Sequence, residues 1–512
     1  MADEQNIGAG LEERIIDADI DADSNREENR ADFELEMIEK LKSGKCSIEY
    51  ALLVASGLKD KKDIRRYQGK LRRIIKDFKE EARKKVCEKI TGGFHADNAH
   101  NIPDVRISLD YLLEKEEYKI HIARMLFGYL FERKPNRYRQ NEYHLTDVID
   151  NQLDEYMHTY VGNCLGLTLL YTVLGLRIGL KLSVLDEYKH VLNLLRDGRK
   201  KIPIQNTNEL DGFNSEHIKI RDYDEFDLTH LVCNVVHNRG TEKEWSGDLK
   251  GAIKDYEKAI MLNPKFPEAH HSLGEAKYGL GELEEAVKLF DIAIELYKKS
   301  RADKKEGLYN AFLIRGDAKD DLGDPKGAIE DYNQIINGCV VHYKRYYSYF
   351  THNRILFKAY YNKGIVLEKT GRLKEAIDSY LGAITVLPDF AEPLFRIGEL
   401  YEKAGMAKEA GSYYRKGLRV DREELRTYHP LDAEITFPYI TDIKEIRKRL
   451  RNLKQSSAEE KAAKGKKAER KSKRDKKHTT RLENCKEINP YADNNIHYEG
   501  LYNNDRLNTL DK

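Results

Sequence analysis

Five glycines, Gly240, Gly274, Gly316, Gly364 and Gly398, each open the same pattern. Seven residues after each stands a second glycine: Gly247, Gly281, Gly323, Gly371 and Gly405. Twelve residues after the opening glycine stands an alanine: Ala252, Ala286, Ala328, Ala376 and Ala410. Sixteen after comes an aromatic: Tyr256, Phe290, Tyr332, Tyr380 and Tyr414. Successive units begin 34, 42, 48 and 34 residues apart. A repeat of this length, with small residues on both sides of a glycine turn, predicts pairs of antiparallel helices in close contact. The small residues allow close approach, the second glycine ends the first helix, and the aromatic fills the gap to its neighbour. One such pair cannot bury its apolar face alone, so the pairs stack.

This pattern resembles the tetratricopeptide repeat over about 233–422, with Pro264 and Pro388 where that repeat often ends. The third unit departs, with Ile335 where Ala259, Ala293 and Ala383 stand in others, and the fifth has Gly417 there. Two insertions break the period, near KKSRADKK (298–305) and VVHYKRYYSYFTHN (340–353). Both read as longer helices or loops. The second carries four Tyr and one Phe beside Lys344 and Arg345, which suits an extended helix packing its own rings, or a partner contact.

Ahead of the repeats, 47–58, 64–86 and 111–133 show three-to-four spacing of apolar residues and predict helices, with a loop over 91–104. From 181 the period shortens. KLSVLD (181–186), KHVLNLL (189–195) and KKIPIQ (200–205) predict three short strands, with a turn at DGR (197–199). A helix is expected over 442–455.

Charge is polarised along the chain. Residues 1–36 hold 13 acidic residues against three arginines, and 444–481 hold 17 Lys/Arg against five acidic residues. Both ends are expected to be disordered, and the basic stretch is able to bind nucleic acid or another acidic surface by counterion release. It could equally neutralise the acidic terminus. The start lacks a basic region followed by an apolar one, so no secretory signal is read. The longest apolar run, Cys164–Leu180, is interrupted by Arg177 and is shorter than the roughly 20 residues of a membrane span. Six cysteines are scattered with no CxxC pair, which indicates neither a disulfide framework nor a zinc site, and no cofactor motif stands out. A reducing, cytoplasmic setting without a membrane partner is expected.

One segment carries candidate chemistry. In YVGNCLGLTLLYTVLGLRIGL (160–180), Gly162–Asn163 is read as a turn that puts Cys164 in the first turn of an apolar helix. Unpaired N–H groups and the positive end of the helix dipole there are expected to lower the thiol pKa. A nucleophilic thiol needs a base, and His190, at the start of a strand, is the candidate. A third group would orient the imidazole from the following strand, and Gln205 or the adjacent Asn206 could do so. The structural alternative is a small core cysteine and an ordinary histidine.

The segments GNCLGLTLLYTVLGLRIGL, EYKHVLNLLRDGR and KIPIQNTN resemble the transglutaminase-like (papain-type) core of the SirB-type family, and 47–78 resembles its helical lead-in. Members often carry C-terminal tetratricopeptide repeats. The resemblance implies an α+β chain, a helical and transglutaminase-like core followed by an α-α superhelix of repeats. It also implies a Cys–His–Asp arrangement borne here by Cys164, His190 and the Gln205 position, where an amide replaces the usual acid. The expected divisions are an acidic terminus (1–36), the transglutaminase-like domain (37–222), five repeats (233–422) and a basic tail (423–512). Two functions follow. One is a thiol peptidase or acyltransferase acting on a protein or peptide delivered by the repeats. The other is a scaffold whose N-terminal domain is a degenerate enzyme fold. Two further features are weaker. His95, Asp97 and His100 could bind a metal, but their loose spacing lacks a supporting motif, so no metal is expected, and Gly92–Gly93 has no GK[ST] to make a phosphate loop.

Overall fold

A computed structural model describes residues 32–91, 116–134, 138, 142–154, 160–187, 190–207, 212–213, 217–302, 304–339, 349–427 and 442–455. The chain divides into two compact units, Met1–Ala311 and Phe312–Lys512.

The first unit begins with helices α1 (Asp32–Lys42), α2 (Ile48–Ala55), α3 (Lys61–Thr91), α4 (Glu116–Arg133) and α5 (Leu145–Leu153). Residues 32–36, read from sequence as part of an acidic terminus, open α1. Ser47 caps α2, its hydroxyl accepting from the Tyr50 N–H at 3.2 Å, which satisfies one of the orphan donors of a helix start. The apolar run becomes α6 (Cys164–Arg177), buried along nearly its whole length. Arg177, which interrupts the run, pairs with buried Glu49 through two 2.6 Å contacts, the fork geometry that suits a guanidinium on a carboxylate. Tyr171, fully buried, donates to the Ala123 carbonyl at 2.8 Å.

The predicted strands form as β1 (Leu182–Glu187), β2 (His190–Asp197) and β3 (Lys200–Ile204), joined to β4 (Asp224–Phe226) in a four-stranded antiparallel sheet of order β3-β2-β1-β4. Gly198 takes the hairpin between β2 and β3 at φ 56°. Period-two alternation divides the sheet. Val191 and Leu195 join the main core with α6, while Leu185, Leu192 and Leu194 make a smaller cluster with Ile218, Ile220 and Tyr223.

The first two repeats complete this unit as α7 (Thr229–Trp245) with α8 (Leu249–Leu262), and α9 (Pro267–Gly279) with α10 (Leu283–Lys299). Glu34 of α1 ties the first repeat to the N-terminal helices. It meets Arg239 at 2.8 Å and also pairs with Lys258, while Arg239 holds Asp255 at 2.6 Å. Burial alone would raise the Glu34 carboxyl, but Arg239 and Lys258 outweigh it and hold it at about 2. The insertion at 298–305 is a strap onto the sheet. Ser300 donates to Asp224 of β4, the Arg301 N–H donates to the same carboxylate at 2.9 Å, and Lys304 is buried beneath.

Helix α11 (Lys305–Asp321) contains the boundary between the units. In the second unit follow α12 (Pro325–Cys339), α13 (Tyr349–Lys369), α14 (Leu373–Val386), α15 (Glu392–Lys403) and α16 (Ala407–Thr427). A further helix, α17, over 443–455 lies within the stretch assigned to the tail and buries Ile446 in the core of the last repeats. Of the second insertion, 340–348 lies outside the described residues and the rest opens α13.

The repeat geometry follows from its small residues. The second glycine of each unit has positive φ, 86° at Gly247 and 72° at Gly405 for example, the left-handed conformation that ends a helix. At the first glycine the aromatic ring lies on the backbone: a Cβ on Gly398 would fall 2.6 Å from Tyr414, and one on Gly364 would fall 2.6 Å from Tyr380. The aromatic also has a polar role that sequence reading missed. Tyr256 donates to Glu244 at 2.6 Å, Tyr380 to Glu368 at 3.2 Å and Tyr414 to Glu402 at 2.5 Å, each acid standing four residues after the opening glycine. The second unit has Phe290, which needs no acceptor, and Tyr278 at the acid's position. Repeats one and three share another pair, Arg239 with Asp255 and Arg315 with Asp331, the latter at 2.5 Å.

Candidate functional site

Cys164 is the first residue of α6, and Asn163 caps the helix by accepting from the Gly166 N–H at 2.9 Å. The Asn163 N–H itself donates to the Glu142 carbonyl at 2.7 Å. Gly162 and Gly166 are needed for close approach: a Cβ would fall 2.9 Å and 2.7 Å, respectively, from the Glu142 oxygen. Sequence reading assigned Gly162 to a turn. Its φ is not in the left-handed region, and the requirement is steric contact with 142–148.

His190 opens β2, and its Nε2 lies 3.3 Å from Gln205 Nε2, just beyond the end of β3. The structure therefore brings His190 and Gln205 together. It separates Gln205 from the alternative, Asn206. The Asn206 amide donates to Asn193 at 2.8 Å and Asn193 donates to Thr172 at 2.7 Å, a buried chain that ties the sheet to α6. The alternation of side chains along the strand turns one amide to the imidazole and the next to the helix. This Asn206–Asn193–Thr172 chain was not read from the sequence. Its only sequence signal is a polar residue inside an otherwise apolar strand.

Cys164 lies against the same strand. The backbone N–H groups of Val191, Leu165 and Cys164 itself turn toward its sulfur. Among the described residues no hydrogen bond joins Cys164 to His190. Both side chains feel the carboxylate of Asp186, which faces Val191 across the β1–β2 pair.

The electrostatics correct one expectation. The helix start was expected to lower the thiol pKa, yet burial pushes the Cys164 thiol up, and the three N–H groups offset only part of that. Asp186 raises it further. Burial likewise pushes the His190 imidazole down, with Asp186 opposing. Desolvation outweighs the dipole because packing around the half-buried Cys164 keeps most water from its sulfur. Both shifts favour the thiol and the neutral imidazole, so burial works against a thiolate–imidazolium pair. The other described cysteines are buried, with burial raising Cys339 to about 12 and Cys233 well above its ordinary value.

The loop holding His95, Asp97 and His100 lies outside the described residues, as does 456–481 of the basic stretch. Among the described residues no group of three or more His, Cys, Asp or Glu could hold a metal ion. The described start of the basic stretch is used within the protein: Arg449 of α17 pairs with Glu399 at 3.2 Å. No helix among the described residues is long and apolar enough to cross a membrane.

Comparison with known proteins bears on the repeats. A family profile described as "TPR repeat" matches 246–281, and one described as "Tetratricopeptide repeat" matches 357–390 and 391–424. The TPR repeat-containing protein MJ1428 of Methanocaldococcus jannaschii is 29% identical over 204 residues, covering 37% of this chain and 33% of that protein. Tetratricopeptide repeat protein 6 of Homo sapiens is 26% identical over 174 residues, covering 34% of this chain and 29% of that protein. The chain thus spans about a third of the length of the curated relatives it matches. Among solved structures, that of MamA is 25% identical with a TM-score of 0.31 and covers 37% of this chain and 97% of MamA. That of YrrB is 17% identical with a TM-score of 0.28 and covers 37% of this chain and 87% of YrrB. The glycine, alanine and aromatic spacing, the helical pairs and the profile matches agree: the C-terminal part of the chain carries tetratricopeptide repeats.

Proposed function

We propose that the chain is a protein-binding tetratricopeptide-repeat protein whose N-terminal part is a transglutaminase-like (papain-type) site performing acyl transfer at Cys164. The observation that carries this reading is the 3.3 Å contact between His190 and Gln205, beside a strand residue whose N–H turns to the Cys164 sulfur. A neutral amide in the third position is chemically sufficient, since Cys–His–Asn sites of the papain type use one. Its role is orientation: with the Gln205 amide turned so that its carbonyl oxygen accepts from Nε2–H, the ring's proton is held on Nε2 and Nδ1 is left bare for the thiol proton.

The chemistry starts from a neutral pair. His190 accepts the Cys164 proton as the sulfur bonds to a substrate carbonyl carbon. Negative charge gathers on the carbonyl oxygen, where N–H groups at the start of α6 can meet it. The carbon–nitrogen bond then breaks and His190 returns the proton to the leaving amine. Water or another amine resolves the acyl-enzyme. The substrate is a protein or peptide held by the repeats.

A scaffold without turnover is the second reading, favoured by the raised thiol and lowered imidazole. Labelling the full chain with a peptidyl vinyl sulfone and mapping the adduct separates them. The acyl-transfer reading expects the label on Cys164 and its loss in His190→Ala. Labelling spread over several cysteines, or unchanged in His190→Ala, supports the scaffold.

A further inference from the structure

We infer that Asp186 is a positioning residue of the Cys164 site, its carboxylate held by Lys304 from the strap that follows the second repeat. The inference rests on the acyl-transfer reading above.

Asp186 lies in β1 and is 5% exposed, and Lys304 is 2% exposed. Lys304 Nζ lies 3.0 Å from Asp186 Oδ2 and 3.0 Å from Glu268 Oε1 of α9, while His230 Nε2 of α7 lies 3.3 Å from Asp186 Oδ2. Burying such a cluster costs desolvation that apolar residues of similar volume avoid, so adhesion between strap and sheet is poor reason for it. Its location gives a better one. Asp186 pairs in register with Val191, whose N–H turns to the Cys164 sulfur and which directly follows His190. The groups facing the Asp186 charge are Lys304, His230, Glu268, Cys164, His190 and, from α7, Cys233. Burial alone would raise the Asp186 carboxyl, but Lys304 and His230 outweigh it and keep it ionised. A fixed negative charge there favours the thiol over the thiolate, and the imidazolium over the neutral ring. At rest it therefore restrains thiolate formation; once the sulfur has bonded to a carbonyl carbon and no longer carries charge, it favours the protonated His190 that gives its proton to the leaving amine.

The test is the pH profile of Cys164 alkylation by iodoacetamide, followed by peptide mass mapping in the full chain. Asp186→Asn should move the profile to lower pH by at least ~0.5 unit, about a threefold faster reaction at fixed pH below the midpoint. Glu268→Gln breaks the same cluster on the far side of Lys304 and should leave the profile in place. Superimposable profiles for wild type and Asp186→Asn, or an equal shift in Glu268→Gln, overturn the inference. If Asp186→Asn does not fold by circular dichroism, Asp186→Ser is read instead. It removes the same charge with a smaller side chain and should move the profile to lower pH as well, and no movement overturns the inference. Alkylation is read without turnover, so a shift in a chain that transfers no acyl group would sink the acyl-transfer reading and leave the charge relation standing.

Discussion

His190 and Gln205, fifteen residues apart in sequence, meet side chain to side chain at 3.3 Å at the open end of the β2–β3 hairpin. The pairing follows from register. Asn193 and Ile204 are partners across the hairpin, so Gln205 stands beyond the strand end on the side to which His190 projects. Gln205→Glu places a carboxylate on the imidazole and should raise the His190 titration midpoint by about one pH unit or more. Histidine ring NMR through a pH titration reads this directly. An unmoved midpoint would mean that the two side chains do not meet in solution.

Gly398 has no room for a methyl group against Tyr414. Gly398→Ala should destabilise the last repeats by about 1–3 kcal/mol, the usual cost of overpacking. Thermal unfolding followed by circular dichroism would show it. Gly44, with open space around it but positive φ, provides a comparison in which only backbone strain acts.

Tyr414→Phe removes the donor to Glu402 and should cost about 0.5–1.5 kcal/mol. The repeats contain a natural counterpart, since Phe290 has no acid at the corresponding position. Phe290→Tyr should therefore gain nothing. Urea melts of both variants check the pair, and stabilisation by Phe290→Tyr would contradict the account.

Two carboxyls, buried Glu34 and half-buried Asp317, give opposite pH dependence. Glu34 is held at about 2, below its unfolded value, so its contribution is complete above roughly pH 4.5 and is lost as pH falls through about 2. Glu34→Gln should cost about 2 kcal/mol near pH 7, converging on wild type in strong acid. Asp317 is pushed up to about 6 by burial, against hydrogen bonds from Tyr332 at 2.6 Å and Asn362 at 2.8 Å. Its contribution is present at low pH and is lost as pH rises from about 4 through 6, so Asp317→Asn should stabilise by about 1–3 kcal/mol above pH 7. Denaturant melts across the pH range test both signs.

The sequence carried the repeats well because their constraint is local and repeated: each glycine must admit a ring or end a helix, and no other residue does either as well. The three strands of the hairpin region were also legible from their short period and the turn at Gly198. Strand β4 was not, since three residues carry no period and only the free edge of β1 recruits them. Glu34 lay in an acidic terminus expected to be disordered and Lys304 in an insertion read as a longer helix or loop, because burial of a charge depends on partners far along the chain, such as Arg239 and Asp186. The candidate site divides in the same way. Spacing offered His190 with Gln205 or Asn206, and GNC was read as a turn rather than as the cap that Asn163 makes. The thiol's raised pKa was missed because a dipole can be inferred from a helix start, whereas enclosure of the sulfur comes from tertiary packing.

The most direct measurement is intact-mass analysis of the full chain after brief exposure to p-nitrophenyl acetate, with the adduct mapped by fragmentation. The account predicts one acetyl group on Cys164, lost in His190→Ala and formed at least about tenfold more slowly in Gln205→Ala. An acetyl group absent from Cys164, or formed there at the same rate in His190→Ala, would contradict it and leave a repeat protein with an inert N-terminal part.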